Sequence, residues 1–164
     1  MRTRGSSVTT ATGVASSLIA NSTLLGKPKN DLAVFELDER SAPRILPFIK
    51  PDLLLCTNIF RDSYKRNAHV EFILDILNTY IPDSTKLVLN ADDLLCSSLK
   101  PENRRVFFGI APLPGEEQEP PNIVRDVRSC PQCGAPLEWD YLRYHHIGQA
   151  HCPRCGFASP TANY

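Results

Sequence analysis

A chain of 164 residues, 42% of them hydrophobic, carries apolar surface for one medium domain with a small module beside it. Its eighteen basic and eighteen acidic residues cancel, which argues against wrapping nucleic acid or adhering to an anionic membrane. No stretch approaches the roughly 18 apolar residues of a membrane span, and Ser, Thr and Gly break the start too often for a signal peptide.

Taken in order, residues 14–19 suit a helix with a small packing face that ends near Gly26. Residues 32–37 (LAVFEL) form an apolar run around one carboxylate, Glu36, and read as a buried parallel strand. A short helix is expected near 42–46, stopped by Pro47. Residues 52–59 read as a second strand, with Thr57 and Asn58 at its carboxyl end, and 60–67 as a charged loop. Val70, Ile73, Leu74, Leu77 and Ile81 recur at the spacing of an amphipathic helix over 68–81. A third strand is expected at 85–90, followed by Asp92 or Asp93 as a helix cap, and a fourth at 105–110. Alternating strands and helices imply an α/β fold with a mainly parallel sheet, spanning residues 1–112. Residues 113–122, rich in Pro and acidic side chains, read as a linker.

The last segment, 123–164, is organised by two near-identical knuckles, Cys130-Pro-Gln-Cys133-Gly and Cys152-Pro-Arg-Cys155-Gly, with eighteen residues between them. Four thiolates at this spacing close a tetrahedral cage around a metal. Zinc is the first expectation, and iron in a rubredoxin-like centre the second. Unlinked thiols or two disulfides are the remaining reading. The aromatic stretch between the knuckles is expected to form a hairpin turning near Gly148. With four Cys completing the shell, His145, His146 and His151 are expected at the surface or behind the ligands. Cys56 and Cys96 lie in apolar surroundings and read as buried thiols, which fits a reducing cytoplasm.

In parallel sheets, ligands collect outside the carboxyl ends of the strands. Glu36, Asn58, Asp62, Asn90, Asp92 and Asp93 fall near those ends. Polar residues also end strands simply to cap helices and turns. Glu36 is the most informative of the set, because a carboxylate in a buried strand needs a cation, whether Arg61, Lys65 or a metal, unless it sits at an exposed edge.

Four of these motifs, AVFELDE at 33–39, TNIFRD at 57–62, VLNADD at 88–93 and FFGI at 107–110, together resemble the central domain of Mur ligases. The resemblance is closest to the Mur-ligase-like subunit of lipid II isoglutaminyl synthases, whose central domain carries an inserted four-Cys zinc ribbon. It implies an ATP-dependent, amide-forming ligase of peptidoglycan synthesis. The α-carboxylate of D-glutamate in lipid II, at the membrane surface, would be phosphorylated and then amidated by ammonia from a glutaminase partner of the GatD type. Carried over by motif position, Glu36 corresponds to a Mg²⁺ carboxylate. Asn58 and Asp62 correspond to the loop near metal and phosphates, and Asn90 and Asp93 to the nucleotide side. The catalytic aspartate of the family has no counterpart among these motifs.

The match also departs from the pattern. The sequence contains no Gly-x-x-x-x-Gly-Lys-Ser/Thr phosphate loop, Leu94 replaces the usual Pro, and Ser63-Tyr-Lys-Arg replaces the commoner Gln-Leu-Asp-Arg. The chain is therefore expected to be a fragment or a degenerate relative that does not hydrolyse ATP alone. Two other classes compete with the ligase reading. One is a non-catalytic ribbon scaffold. The other is a nucleic-acid module, for which the ribbon's charges, Arg128, Arg143 and Arg154 against Glu138 and Asp140, are too balanced.

Overall fold

The computed structural model describes residues 10–60, 70–116 and 127–164. Three strands, β1 (Leu53–Cys56), β2 (Lys86–Asn90) and β3 (Arg105–Phe108), form a parallel sheet in the order β1-β2-β3. The expected α/β architecture with a parallel sheet is therefore present. Around it lie helices α1 (Ala11–Ala20), α2 (Ala42–Ile45), α3 (Val70–Tyr80) and α4 (Leu94–Ser97). The periodic residues Val70, Ile73 and Leu77 are the buried face of α3. Ile73 and Leu77 meet Leu87 and Leu89 of β2 in one core with Ile59, Ile81, Cys96 and Leu99. Each such side chain removed from water contributes about 1.5–3 kcal/mol.

Several elements stop where side chains take over the backbone. β1 ends at Cys56, short of residue 59, because Asn90 Nδ2 donates to the Thr57 carbonyl (2.9 Å) and Ile59 N–H donates to Asp93 Oδ2 (2.8 Å). β3 ends at Phe108, short of residue 110, because Ile110 N–H donates to Asp92 Oδ2 (3.0 Å). α1 ends at Ala20, well before Gly26. There Asn21 Nδ2 and Ser22 Oγ donate to the Ser17 and Leu18 carbonyls, and Gly26, at φ 75°, belongs to the turn beyond.

The expected strand at 32–37 is absent. Leu32, Val34 and Glu36 are exposed, while Phe35 and Leu37 turn inward against Val14 and Ile45. Among the described residues no strand lies beside this run, so its alternation serves packing on α1 and α2 rather than a ladder. The burial inferred for Glu36 fails for the same reason, and its carboxylate needs no buried counter-ion.

A second, antiparallel sheet pairs β4 (Glu138–Tyr144) with β5 (Ile147–His151). The turn falls at His145-His146, not at Gly148, with His145 in the left-handed region at φ 49°. Gly148 is instead a strand residue pressed against β4. A Cβ there would overlap the Tyr141 carbonyl oxygen, which is backbone and cannot swing aside. Gly148→Ala is therefore expected to destabilise the chain by about 1–3 kcal/mol or more, as overpacked sites do. A urea melt reads this, and a midpoint equal to wild type would contradict the packing described.

Beyond β5 the chain returns to the free edge of β3. Asn163 N–H donates to the Phe107 carbonyl (2.7 Å), Phe107 N–H to Asn163 Oδ1 (2.8 Å), and Gly109 N–H to the Tyr164 carbonyl (3.2 Å).

Candidate metal centre and its docking site

The knuckles fold as tight turns closed by Gly134 N–H to the Cys130 carbonyl and Gly156 N–H to the Cys152 carbonyl. Both glycines take positive φ, 71° and 76°, which L side chains rarely adopt. The turns face one another so that all four Sγ atoms of Cys130, Cys133, Cys152 and Cys155 lie within 4.8 Å. Across the knuckles, Cys130 and Cys155 Sγ are 3.6 Å apart and Cys133 and Cys152 Sγ 3.5 Å. A disulfide needs about 2.05 Å. Sulfurs bound tetrahedrally at about 2.3 Å from a zinc ion would be spaced about 3.8 Å. The donor set thus fits a metal and does not fit two disulfides.

The local field prepares the cage unevenly. Burial raises the Cys152 thiol, but the N–H groups of Cys155 and Arg154 and the Cys133 thiol outweigh it and hold the group down at about 6. Cys155 feels the Phe157 N–H pulling it down, yet loss of solvent and the three other sulfurs push it up to about 12.

The hairpin does not hang free. Its inner side meets Asp92 and Asp93 at the carboxyl end of β2. Asp92, 3% exposed, accepts from Ile110 N–H, Tyr141 Oη (3.2 Å), Arg143 Nη1 (2.8 Å) and Gln149 Nε2 (2.8 Å). Its carbonyl accepts from Gly148 N–H (2.7 Å). Arg143 also bridges to Glu116 and to the Ile110 and Ala111 carbonyls. The hydrogen bond from Arg143 holds the Glu116 carboxyl below its ordinary range. Burial first, and then the Asp92 charge, push the Tyr141 hydroxyl up.

Asp93 is fully buried. One oxygen caps α4 by accepting from Leu95 and Cys96 N–H (2.9 and 3.0 Å), and the other accepts from Ile59 N–H. His146, also fully buried, brings Nε2 to 3.3 Å from the capping oxygen. The expected helix-capping aspartate is thus Asp93. His146 occupies neither of its expected positions, since it packs between the hairpin and the sheet. Cys96 is buried as expected, with Sγ donating to the Cys56 carbonyl (3.1 Å); the neighbouring Cys56 side chain and then burial push its thiol up. Cys56 is only half-buried.

Among the residues assigned to nucleotide and Mg²⁺ by resemblance, Asn58, Asn90 and Asp93 converge on one segment. Asn90 holds Thr57, Asp93 holds Ile59, and the Asn58 side chain lies exposed between them, 3.4 Å from Thr57 Oγ1. Glu36 is exposed on the stretch before α2, and Asp62 lies outside the described residues. Sequence reasoning missed Tyr141, Arg143, Gln149 and His146 as docking groups. One available signal was the doubled aspartate, since a helix cap occupies only one of the pair.

No family model matches the chain. Over 156 residues it is 36% identical to the MurT subunit of the glutamine-hydrolysing lipid II isoglutaminyl synthase of Staphylococcus aureus strain COL, covering 94% of this chain and 34% of that protein. The chain is homologous to part of MurT. Identity to the MurT subunit of Streptococcus pneumoniae strain ATCC BAA-255 / R6 is 33% over 158 residues, covering 93% of this chain and 34% of that protein. The chain thus spans about a third of the length of the MurT proteins that it matches. A pseudomurein peptide ligase type C from Methanothermus fervidus superposes with a TM-score of 0.55 at 27% identity, over 79% of this chain and 26% of that structure. Similarity to MurT therefore covers both the parallel sheet and the four-Cys hairpin. Among the described residues no helix is long and apolar enough to cross a membrane.

Proposed function

We propose that this chain forms the central-domain portion of an ATP-dependent ligase that amidates the D-glutamate α-carboxylate of lipid II, working with a glutaminase subunit. The observation that carries this reading is the 36% identity to MurT over 94% of the chain. Phosphoryl transfer from Mg-ATP would supply the activation of the carboxylate, and ammonia would complete the amide. The chain's own contribution lies at the carboxyl ends of β1 and β2. Asn58 is an exposed polar side chain there, beside exposed Thr57, with Asn90 behind it; Glu36 and Asp62 join the proposed set by motif position alone. Asp93 acts from beneath by fixing Ile59, since its oxygens are already taken by Ile59, Leu95 and Cys96.

The four-Cys cage holds zinc, and its role is structural, because a closed thiolate shell leaves no open position for substrate. The domain limits follow as α/β residues 1–112, a connection at 113–122 and the ribbon at 123–164. The reducing cytoplasm is the compartment that fits this chemistry. A nucleic-acid role for the ribbon is disfavoured by Arg143, whose guanidinium is engaged by Asp92 and Glu116.

The test is a chimera in which this chain replaces the matching third of S. aureus MurT. Glutamine- and ATP-dependent amidation of lipid II, read by mass spectrometry, is the expected result. A chimera that folds and holds its metal yet leaves lipid II unamidated would count against the reading.

A further inference from the structure

The tip of the hairpin reaches the segment after β1. Phe60 stands against Tyr144 (ring centroids 5.6 Å), His145 (5.7 Å) and His146 (4.8 Å), and Tyr144 closes on His145 at 4.2 Å. His146 simultaneously approaches Asp93, which holds the neighbouring Ile59 N–H. Residues 57–60 are thus fixed from two sides, by Asn90 of β2 and the α4 cap Asp93 on one and by three rings of the ribbon on the other. The thiolates lie at the opposite end of the hairpin. Strands of five and seven residues, at about 3.3 Å per residue, set the cage roughly 20 Å from the tip.

We propose that the ribbon is a positioning strut: its turn, Tyr144-His145-His146, sets the conformation of the Thr57–Phe60 segment at the mouth of the sheet. Tyr144, His146 and Phe60 are then positioning residues. They act through the backbone that presents Asn58 and touch no substrate themselves. The inference rests on the ligase reading only for its consequence, since the geometry is a property of the chain whatever it binds. Several aromatic contacts made together can select one conformer of a short segment.

Amide hydrogen exchange followed by mass spectrometry on the metal-loaded chain tests it without nucleotide. Tyr144 is 55% exposed, so Tyr144→Ala removes ring contacts with little cost to the fold. The expected result is about tenfold faster exchange in peptides covering 57–60, with peptides of α3 and β2 unchanged and metal content retained. His146→Ala should act in the same direction and more strongly. A uniform rise in every peptide of the His146 variant would report unfolding, and Tyr144→Ala alone then decides between the strut and its absence. Wild-type exchange at 57–60 in Tyr144→Ala would overturn the proposal. Failure of the lipid II assay with faster exchange at 57–60 would leave the strut standing and remove only the ligase reading.

Discussion

Cys133→Ser is expected to empty the four-sulfur cage and unfold the hairpin built on it, while the parallel sheet persists. Little else holds the knuckle ends of β4 and β5 together. Cys130 and Cys152 are buried at the cage, but the turns around them present exposed Pro131, Gln132, Pro153 and Arg154. Apolar burial there is too small to fix two turns by itself. Structural zinc binding in small modules is worth about 10–16 kcal/mol, and it is folding free energy, because the site does not exist in the unfolded chain. None of the main-core residues lies in the hairpin, so the sheet and α3 keep their packing. The measurement is unusually clean, because Trp139 of β4 is the sole tryptophan. Metal content should fall from one per chain to near zero and Trp139 emission should shift to the red, with helical circular dichroism retained. Chelation of the wild-type protein should do the same. A metal-bearing Cys133→Ser protein with native emission would show that three thiolates suffice.

Asp92→Ala is expected to cost about 3–5 kcal/mol, the range for removing one partner of a buried ion pair. The loss is not that of a single contact. Tyr141, Arg143 and Gln149 all direct donors at this carboxylate, and the Ile110 N–H shares it. Truncation leaves those donors facing a void without an acceptor, which is the expensive way to break a hydrogen bond. For a chain of this size about 1 kcal/mol moves the melting temperature by roughly 2–4 °C, so a fall of about 6–20 °C is expected. Asp92→Asn keeps an acceptor of the same shape and should fall less. Equal melting temperatures for the alanine variant and wild type would mean that the hairpin does not dock on Asp92.

The parallel sheet and the four-Cys cage were legible because their signals are local. A 3.6-residue period marks α3, and paired knuckles announce their own geometry. Residues 32–37 misled because apolar content identifies a segment that packs inward, not one that finds a partner strand; Phe35 and Leu37 satisfy the first condition alone. The boundaries of β1 and β3 were overrun because the side chains that stop them, Asn90, Asp92 and Asp93, sit far away in sequence. His146 was the hardest to place. Its burial arises from a contact with Asp93, fifty-three positions earlier, and no periodicity encodes such a meeting.

The return of the tail to β3 has a consequence for how such a fold is assembled. Gly109 N and Tyr164 O meet at 3.2 Å, so the whole excursion through the cage departs from and comes back to nearly one point. A segment whose two ends lie this close leaves the order of the parallel strands untouched. Excising it and bridging the gap would need only a few residues of connection. Evolution could therefore graft or discard the ribbon as a unit, paying chiefly in the aspartates left behind to receive it.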